Sequence, residues 1–213
     1  MKIKHLALSA TLLGSLALPA SAVITWTGAI DGDISNDGNW DASVAGITDS
    51  TLNDSLIFNT TGNAPILGEL AGQPTWGVTA ANTITFDAVT MTNAGNDGIG
   101  RGVFNVINGG GFSAFFANGT VNVDATSSIT LQGGGDPLPF VAVVNLAVGA
   151  QLTMASVAEF TEQGGQIFVD GVDFATDTSI LEFSGTTATA VPEPSSTALL
   201  GLGGLALILR RRK

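Results

Sequence analysis

Cysteine and tyrosine are absent from these 213 residues, histidine occurs once and basic side chains number only seven. The lone histidine is His5, and the basic residues are Lys2, Lys4, Arg101, Arg210, Arg211, Arg212 and Lys213. All but Arg101 lie in the two terminal segments. Between those segments the usual zinc sites, Ser-His-Asp triads and thiol nucleophiles cannot be built. Schiff-base chemistry goes with the lysines. Without disulfides, stability must come from burial and backbone hydrogen bonding.

Charge of one sign is nearly missing too. From Val23 to Pro194 one arginine stands against 18 carboxylates, a net charge of −17. Phosphate backbones and acidic polysaccharides are repelled by such a surface, which excludes nucleic acid as a partner. Two acidic clusters stand out: Asp31, Asp33, Asp37, Asn39 and Asp41, and further on Asp170, Asp173, Asp177 and Glu182. Oxygen-rich loops of this kind take calcium. However, Asp31-Gly-Asp33-Ile-Ser-Asn36 follows a calcium-loop pattern only at its start, and its twelfth position is Ala42 rather than Glu. The alternative is that Asp and Asn shape turns by bonding their own backbone. No metal is expected, and calcium is the one cofactor the set could hold.

The chain reads as non-enzymatic. A glycoside hydrolase working with Asp170 and Asp173 alone is the catalytic alternative, but no mixed set of acid, base and polar groups converges on them in the sequence. Gly98-Ile-Gly-Arg-Gly102 and Gly109-Gly-Gly111 carry no phosphate-loop lysine and read as turn glycines.

Long apolar runs occur only at the two ends. Lys2 and Lys4, an apolar Leu6 to Leu18 and Ala20-Ser21-Ala22 form a signal peptide over residues 1–22, with cleavage before Val23. At the other end, Val191-Pro192-Glu193-Pro194 leads into an apolar run closed by Arg210, Arg211, Arg212 and Lys213. Taken from Ser195 to Leu209, that run spans about 22 Å as a helix, short of the roughly 30 Å hydrocarbon core. The basic end stays cytoplasmic, which places the rest on the far side of the membrane.

This tail resembles the C-terminal sorting domain of PEP-CTERM proteins. The resemblance implies recognition by an exosortase, a membrane-embedded cysteine protease, with processing near Pro192, Glu193 and Pro194 and removal of the apolar tail. The sorting residues would be Val191, Pro192, Glu193, Pro194, Arg210, Arg211 and Arg212. Export through the Sec machinery and transient membrane insertion follow, with delivery to the envelope, surface or matrix of a Gram-negative-type bacterium. An ordinary single-span anchor is the competing reading.

Residues 23–185 read as a β-rich passenger, 186–196 as a linker and 197–213 as the hydrophobic helix with its basic end. Short alternating runs predict strands at 55–59, 83–87, 103–107, 120–123, 128–131, 141–146, 151–154, 166–169 and 180–183. The stretch 152–162 reads as strand and loop because it lacks a clean cap and holds Thr153, Val157 and Thr161. Residues 121–131 align with 144–154 at an offset of 23, and Phe104-Asn-Val106 and Ile167-Phe-Val169 look like weaker copies of the opening strand. A period near 20 with two strands per unit predicts an all-β fold, a short right-handed parallel β-helix with an N-terminal cap. An antiparallel β-sandwich is the alternative.

Ile24-Thr-Trp-Thr-Gly28, Asp37-Gly-Asn-Trp40 and Asp54-Ser-Leu-Ile-Phe58 resemble the opening of autotransporter-associated β-helix repeats. In that resemblance Trp26 and Trp40 cover the open end of the core, with sugar stacking as their less favoured role. The passenger would be a structural surface or matrix protein, and the alternative is a glycan-binding or adhesive module engaging envelope polysaccharide.

Overall fold

The computed structural model describes residues 22–42, 54–59, 62–68, 75–76, 82–93, 98–116, 118–132 and 141–193. Ala20 of the signal peptide, and the hydrophobic helix with Pro194, Arg210, Arg211 and Arg212, lie outside the described residues. No helix among the described residues is long and apolar enough to cross a membrane.

The chain opens with β1 (Val23–Trp26), β2 (Ser55–Phe58), β3 (Ile66–Leu67), β4 (Thr75–Trp76) and β5 (Thr83–Asp87). It continues as β6 (Thr90–Asn93), β7 (Gly98–Ile99), β8 (Val103–Ile107), β9 (Gly111–Phe116), β10 (Asn118–Val123) and β11 (Ser128–Leu131). Then come β12 (Val141–Leu146), β13 (Gln151–Met154), the short helix α1 (Val157–Glu162) and β14 (Gln166–Val169). The last strands are β15 (Val172–Asp173), β16 (Leu181–Ser184) and β17 (Thr187–Ala190).

Two sheets result, and the molecule is mostly β without closing into a barrel. The first has the order β1-β2-β5-β8-β10-β12-β14-β15. The second runs β16-β17-β13-β11-β9-β6-β3, with β7 pairing β9 and β4 beside it. From β5 to β14 most successive strands alternate between the sheets, so each pairs with the strand one unit later and lies parallel to it. Among the described residues, antiparallel strand-to-strand pairing, which a sandwich requires throughout, is found at the C-terminal end, in β14 with β15, β13 with β17 and β16 with β17, and the N-terminal end adds a single antiparallel bridge between Trp26 and Trp40.

Registers follow the sequence repeat. Val121 lies opposite Val144, Asn122 opposite Asn145, Ile129 opposite Leu152 and Thr130 opposite Thr153, the offset of 23 read from sequence. Phe104 and Ile167 occupy the same row as Val121 and Val144. Period-two alternation then puts two continuous apolar rows of the first sheet inside. One holds Ile24, Leu56, Ile84, Phe104, Val121, Val144 and Ile167, all buried. The second sheet answers with Met91, Phe112, Ile129, Leu152 and Ala188. No single unit could hide these faces, so each depends on its neighbours.

Three sequence-based expectations change. Residues 157–162 are helical rather than loop: Ser156 is extended and accepts from the Glu159 N–H, a cap of the Ser-x-x-Glu type that offsets the β-branched residues, and Phe160 anchors the turn in the core. The folded part also runs past residue 185. Strand β17 pairs with both β13 and β16 and buries Ala188 and Ala190, so residues 187–190 belong to the sheet rather than to a connector. Finally, Gly98 and Ile99 form strand β7 and are buried, so the turn begins only at Arg101 and Gly102, whose φ angles are 63° and 85°.

Candidate functional site

The N-terminal end is built around two indoles. Trp26 and Trp40 meet edge to face with centroids 5.1 Å apart, and both contact the Phe58 ring, which stacks on Phe86 at 4.9 Å. Trp26 is fully buried and its Nε1–H donates to the Asn63 carbonyl, while Trp40 Nε1–H donates to the Ile34 carbonyl. Neither ring face is open to a sugar. Gly28 lets the chain turn here at φ +55°, where a Cβ would lie 2.5 Å from the Asn63 oxygen.

Asn39, in the Gly-Asn-Trp turn Asp37–Asn39, is completely buried. Its Oδ1 accepts from the Ile30 and Asp31 N–H groups, and its Nδ2 donates to the Asp31 carboxylate and the Asp33 carbonyl. Asp31 also accepts from the Asp33 N–H and Asn36 Nδ2. The Asn39 amide first, then the Asp33 N–H, holds the Asp31 carboxyl below its ordinary range. Asp33 Oδ1 accepts from the Ser35 N–H and hydroxyl, and Asp41 Oδ1 from the Thr25 N–H. The suggested calcium ligands Asp31, Asp33 and Asn39 therefore hydrogen-bond within the loop, and Asp41 ties the loop to β1. Asp37 lies in the same turn, and no three acidic, His or Cys side chains converge on a metal position among the described residues.

The outward rows of the first sheet carry a different pattern. Thr85, Asn105, Asn122, Asn145 and Phe168 occupy successive rungs. Asn122 Nδ2 donates to Asn105 Oδ1 at 3.0 Å and Asn145 Nδ2 to Asn122 Oδ1 at 2.8 Å, a continuous amide ladder. Asn122 and Asn145 fall at equivalent places of the aligned segments 121–131 and 144–154, with no role assigned from the sequence.

Beside the ladder, Asp124 holds the corner between β10 and β11. Its carboxylate accepts from the Asn108 N–H and from the N–H and hydroxyl of Thr126. Partial burial pushes the carboxyl up, but the Ser127 hydroxyl, the Asn108 N–H and Thr126 outweigh it, leaving the group below its ordinary range. A carboxyl lowered on folding stabilises above its unfolded value of about 3.9 and loses that contribution as pH falls through the folded value. Asp124→Asn should therefore melt about 3 °C lower than the wild type at pH 7, reflecting about 1 kcal/mol of charged hydrogen bonding at a partly exposed site. Thermal melts at pH 7 and at successively lower pH check this: the gap should narrow as the carboxyl protonates, and an equal gap throughout would contradict it.

At the far end Asp173 Oδ1 accepts from the Ala175 N–H, and Asp177 Oδ1 from the Ser179 N–H and hydroxyl. The Ser179 hydroxyl and N–H lower the Asp177 carboxyl. Asp170 sits in the turn after β14 at φ 47°, Asp173 in β15 against Phe168, and Glu182 is exposed on β16. Asp173 and Asp177 thus open turns.

The C-terminal strand carries the remaining signal. The Ala190 N–H donates to the Ala150 carbonyl, its own carbonyl accepts from the Gly149 N–H, and the Val191 N–H donates to the Ile180 carbonyl. Pro192 and Glu193 follow directly and are exposed. Residues 190–213 match the PEP-CTERM protein-sorting motif. The motif marks a protein sorted by exosortase to the cell surface or beyond it. The PEP-CTERM motif therefore begins within the last strand of the sheet rather than after a spacer. Val191, Pro192 and Glu193 directly follow β17 and are the last of the described residues, and at the other end Ala22 and Val23 bracket the expected signal cleavage as β1 begins. Neither a curated protein nor a solved structure matches the chain.

Proposed function

We propose that the chain is a non-enzymatic structural protein of the bacterial surface or extracellular matrix, whose passenger is a short right-handed parallel β-helix capped by Trp26 and Trp40. The signal peptide carries it through the Sec machinery. The apolar tail holds it briefly in the inner membrane, and an exosortase then processes it near Pro192, Glu193 and Pro194.

The observation that carries this reading is the sorting motif at residues 190–213. Support for the β-helix comes from the alternation of strands between two sheets, the parallel in-register pairing and the 23-residue spacing of equivalent rows. Right-handedness follows the general rule for parallel crossovers. Support for a structural role comes from the carboxylates: Asp31, Asp33, Asp124, Asp173 and Asp177 each accept from the backbone N–H two residues on, and Asp41 accepts from the Thr25 N–H of β1.

Cell fractionation with N-terminal sequencing tests the export half. The surface or released fraction should hold the protein with Val23 as its first residue, whereas a cytoplasmic protein beginning at Met1 would contradict it.

A further inference from the structure

Beyond this structural role, we propose that the outer face of the first sheet is a binding site for a neutral polysaccharide, seated along the amide ladder and running across the strands. A concavity of about 650 Å³ opens on this face, and Thr85, Asn105, Asn122, Asn145 and Asp170 contribute to its lining. Rungs of a sheet are about 4.8 Å apart, so the five rungs from Thr85 to Phe168 cover roughly 19 Å, long enough for a run of sugar units.

The chemistry suits sugar hydroxyls. Each internal ladder bond uses one amide N–H and one carbonyl. Among the described residues this leaves the Asn105 amide nitrogen open as a donor at one end and Asn145 Oδ1 open as an acceptor at the other. The exposed Asp170 carboxylate adds an acceptor beside Asn145, held there by its backbone N–H bond to the Leu146 carbonyl. One rung beyond Asn145, the half-exposed Phe168 supplies an apolar ring surface for the C–H face of a sugar.

Charge selects against the alternatives. No Lys or Arg lies on this row, and the net charge of −17 between Val23 and Pro194 repels uronic-acid, phosphate or sulfate polymers. A stack of amides already bonded to one another is also preorganised, so little side-chain freedom is lost when a chain settles on it.

The exported full protein is run in native gels containing dextran, mannan or a soluble β-glucan, with polygalacturonate as the acidic comparison. At least one neutral polymer should retard it and polygalacturonate should not. Asn145→Leu breaks the ladder at its open acceptor. Asp170→Gly keeps the left-handed turn, which glycine adopts freely, and removes the acceptor. Each should weaken retardation about fivefold, the value of one hydrogen bond. Thr130→Ala, on the outer face of the second sheet, should leave retardation unchanged. The proposal is overturned if no neutral polymer retards the protein, if polygalacturonate retards it equally, or if both ladder-side variants melt like the wild type and bind as it does. Loss of retardation on Thr130→Ala alone would place binding on the other sheet and overturn it as well.

Discussion

Trp26→Ala should lower the melting temperature of the passenger by about 10 °C. Truncating a fully buried tryptophan costs about 3–5 kcal/mol through lost transfer energy and the cavity left behind, which in a domain of this size shifts the midpoint by that order. Two further losses add to it: the edge-to-face contact with Trp40 and the hydrogen bond to the Asn63 carbonyl. The effect is set by position. Trp26 stands at the N-terminal end of the aromatic series that continues through Phe58, Phe86 and Phe112, and a stacked architecture depends on a closed end. Differential scanning calorimetry on the two proteins checks it. A midpoint within about 2 °C of the wild type would mean that Trp26 is peripheral to the core.

Replacing Pro192, Glu193 and Pro194 together by alanine should leave the fold intact and block delivery. Among the described residues the last backbone bond before this segment is the Val191 N–H to the Ile180 carbonyl, so the melting temperature should not move. Surface-exposed protein should fall by about tenfold or more while full-length chain accumulates in the inner membrane, because the tail that inserts is short and its removal commits the protein to the outside. Immunoblots of separated membranes and surface fractions measure this. Normal surface levels in the triple variant would show that the motif is dispensable.

The two effects arise at the N-terminal and C-terminal strands of the sheets, and they differ in how legible they were. Alternating runs such as Thr83-Ile-Thr-Phe-Asp87 and Val103-Phe-Asn-Val-Ile107 mark strands because one face is apolar and the other polar, and the structure pairs them in the rows the repeat implied. Strands β3, β4, β6, β7, β9, β15 and β17 fall outside the expected runs. Gly111, Ser113, Thr187 and Thr189 resemble turn residues by composition, and only pairing with β11 and β13 makes them strand. The same tertiary override explains β17, whose alanines are buried in the sheet although Thr187-Ala-Thr-Ala190 reads as a connector.

The cap was half legible. Its tryptophans were expected at the end of the core, yet nothing in the sequence distinguishes Asn39, a buried amide serving four partners, from the exposed acidic residues around it. Spacing alone left calcium ligation and turn formation as alternatives. In the structure Asp31 and Asp33 each accept from the backbone N–H two residues on, the bond that shapes such turns. The amide ladder was hidden for another reason. A single asparagine in a repeat carries no signal until the register stacks it on its copies, and Asn105, Asn122 and Asn145 come from units of unequal length.

Intact mass spectrometry of the protein recovered from the cell surface tests the central claim most directly. The account predicts a chain that begins at Val23, ends near Pro192 to Pro194 and has lost the apolar run with Arg210, Arg211, Arg212 and Lys213. A surface population whose mass includes an intact C-terminus at Lys213 would contradict it.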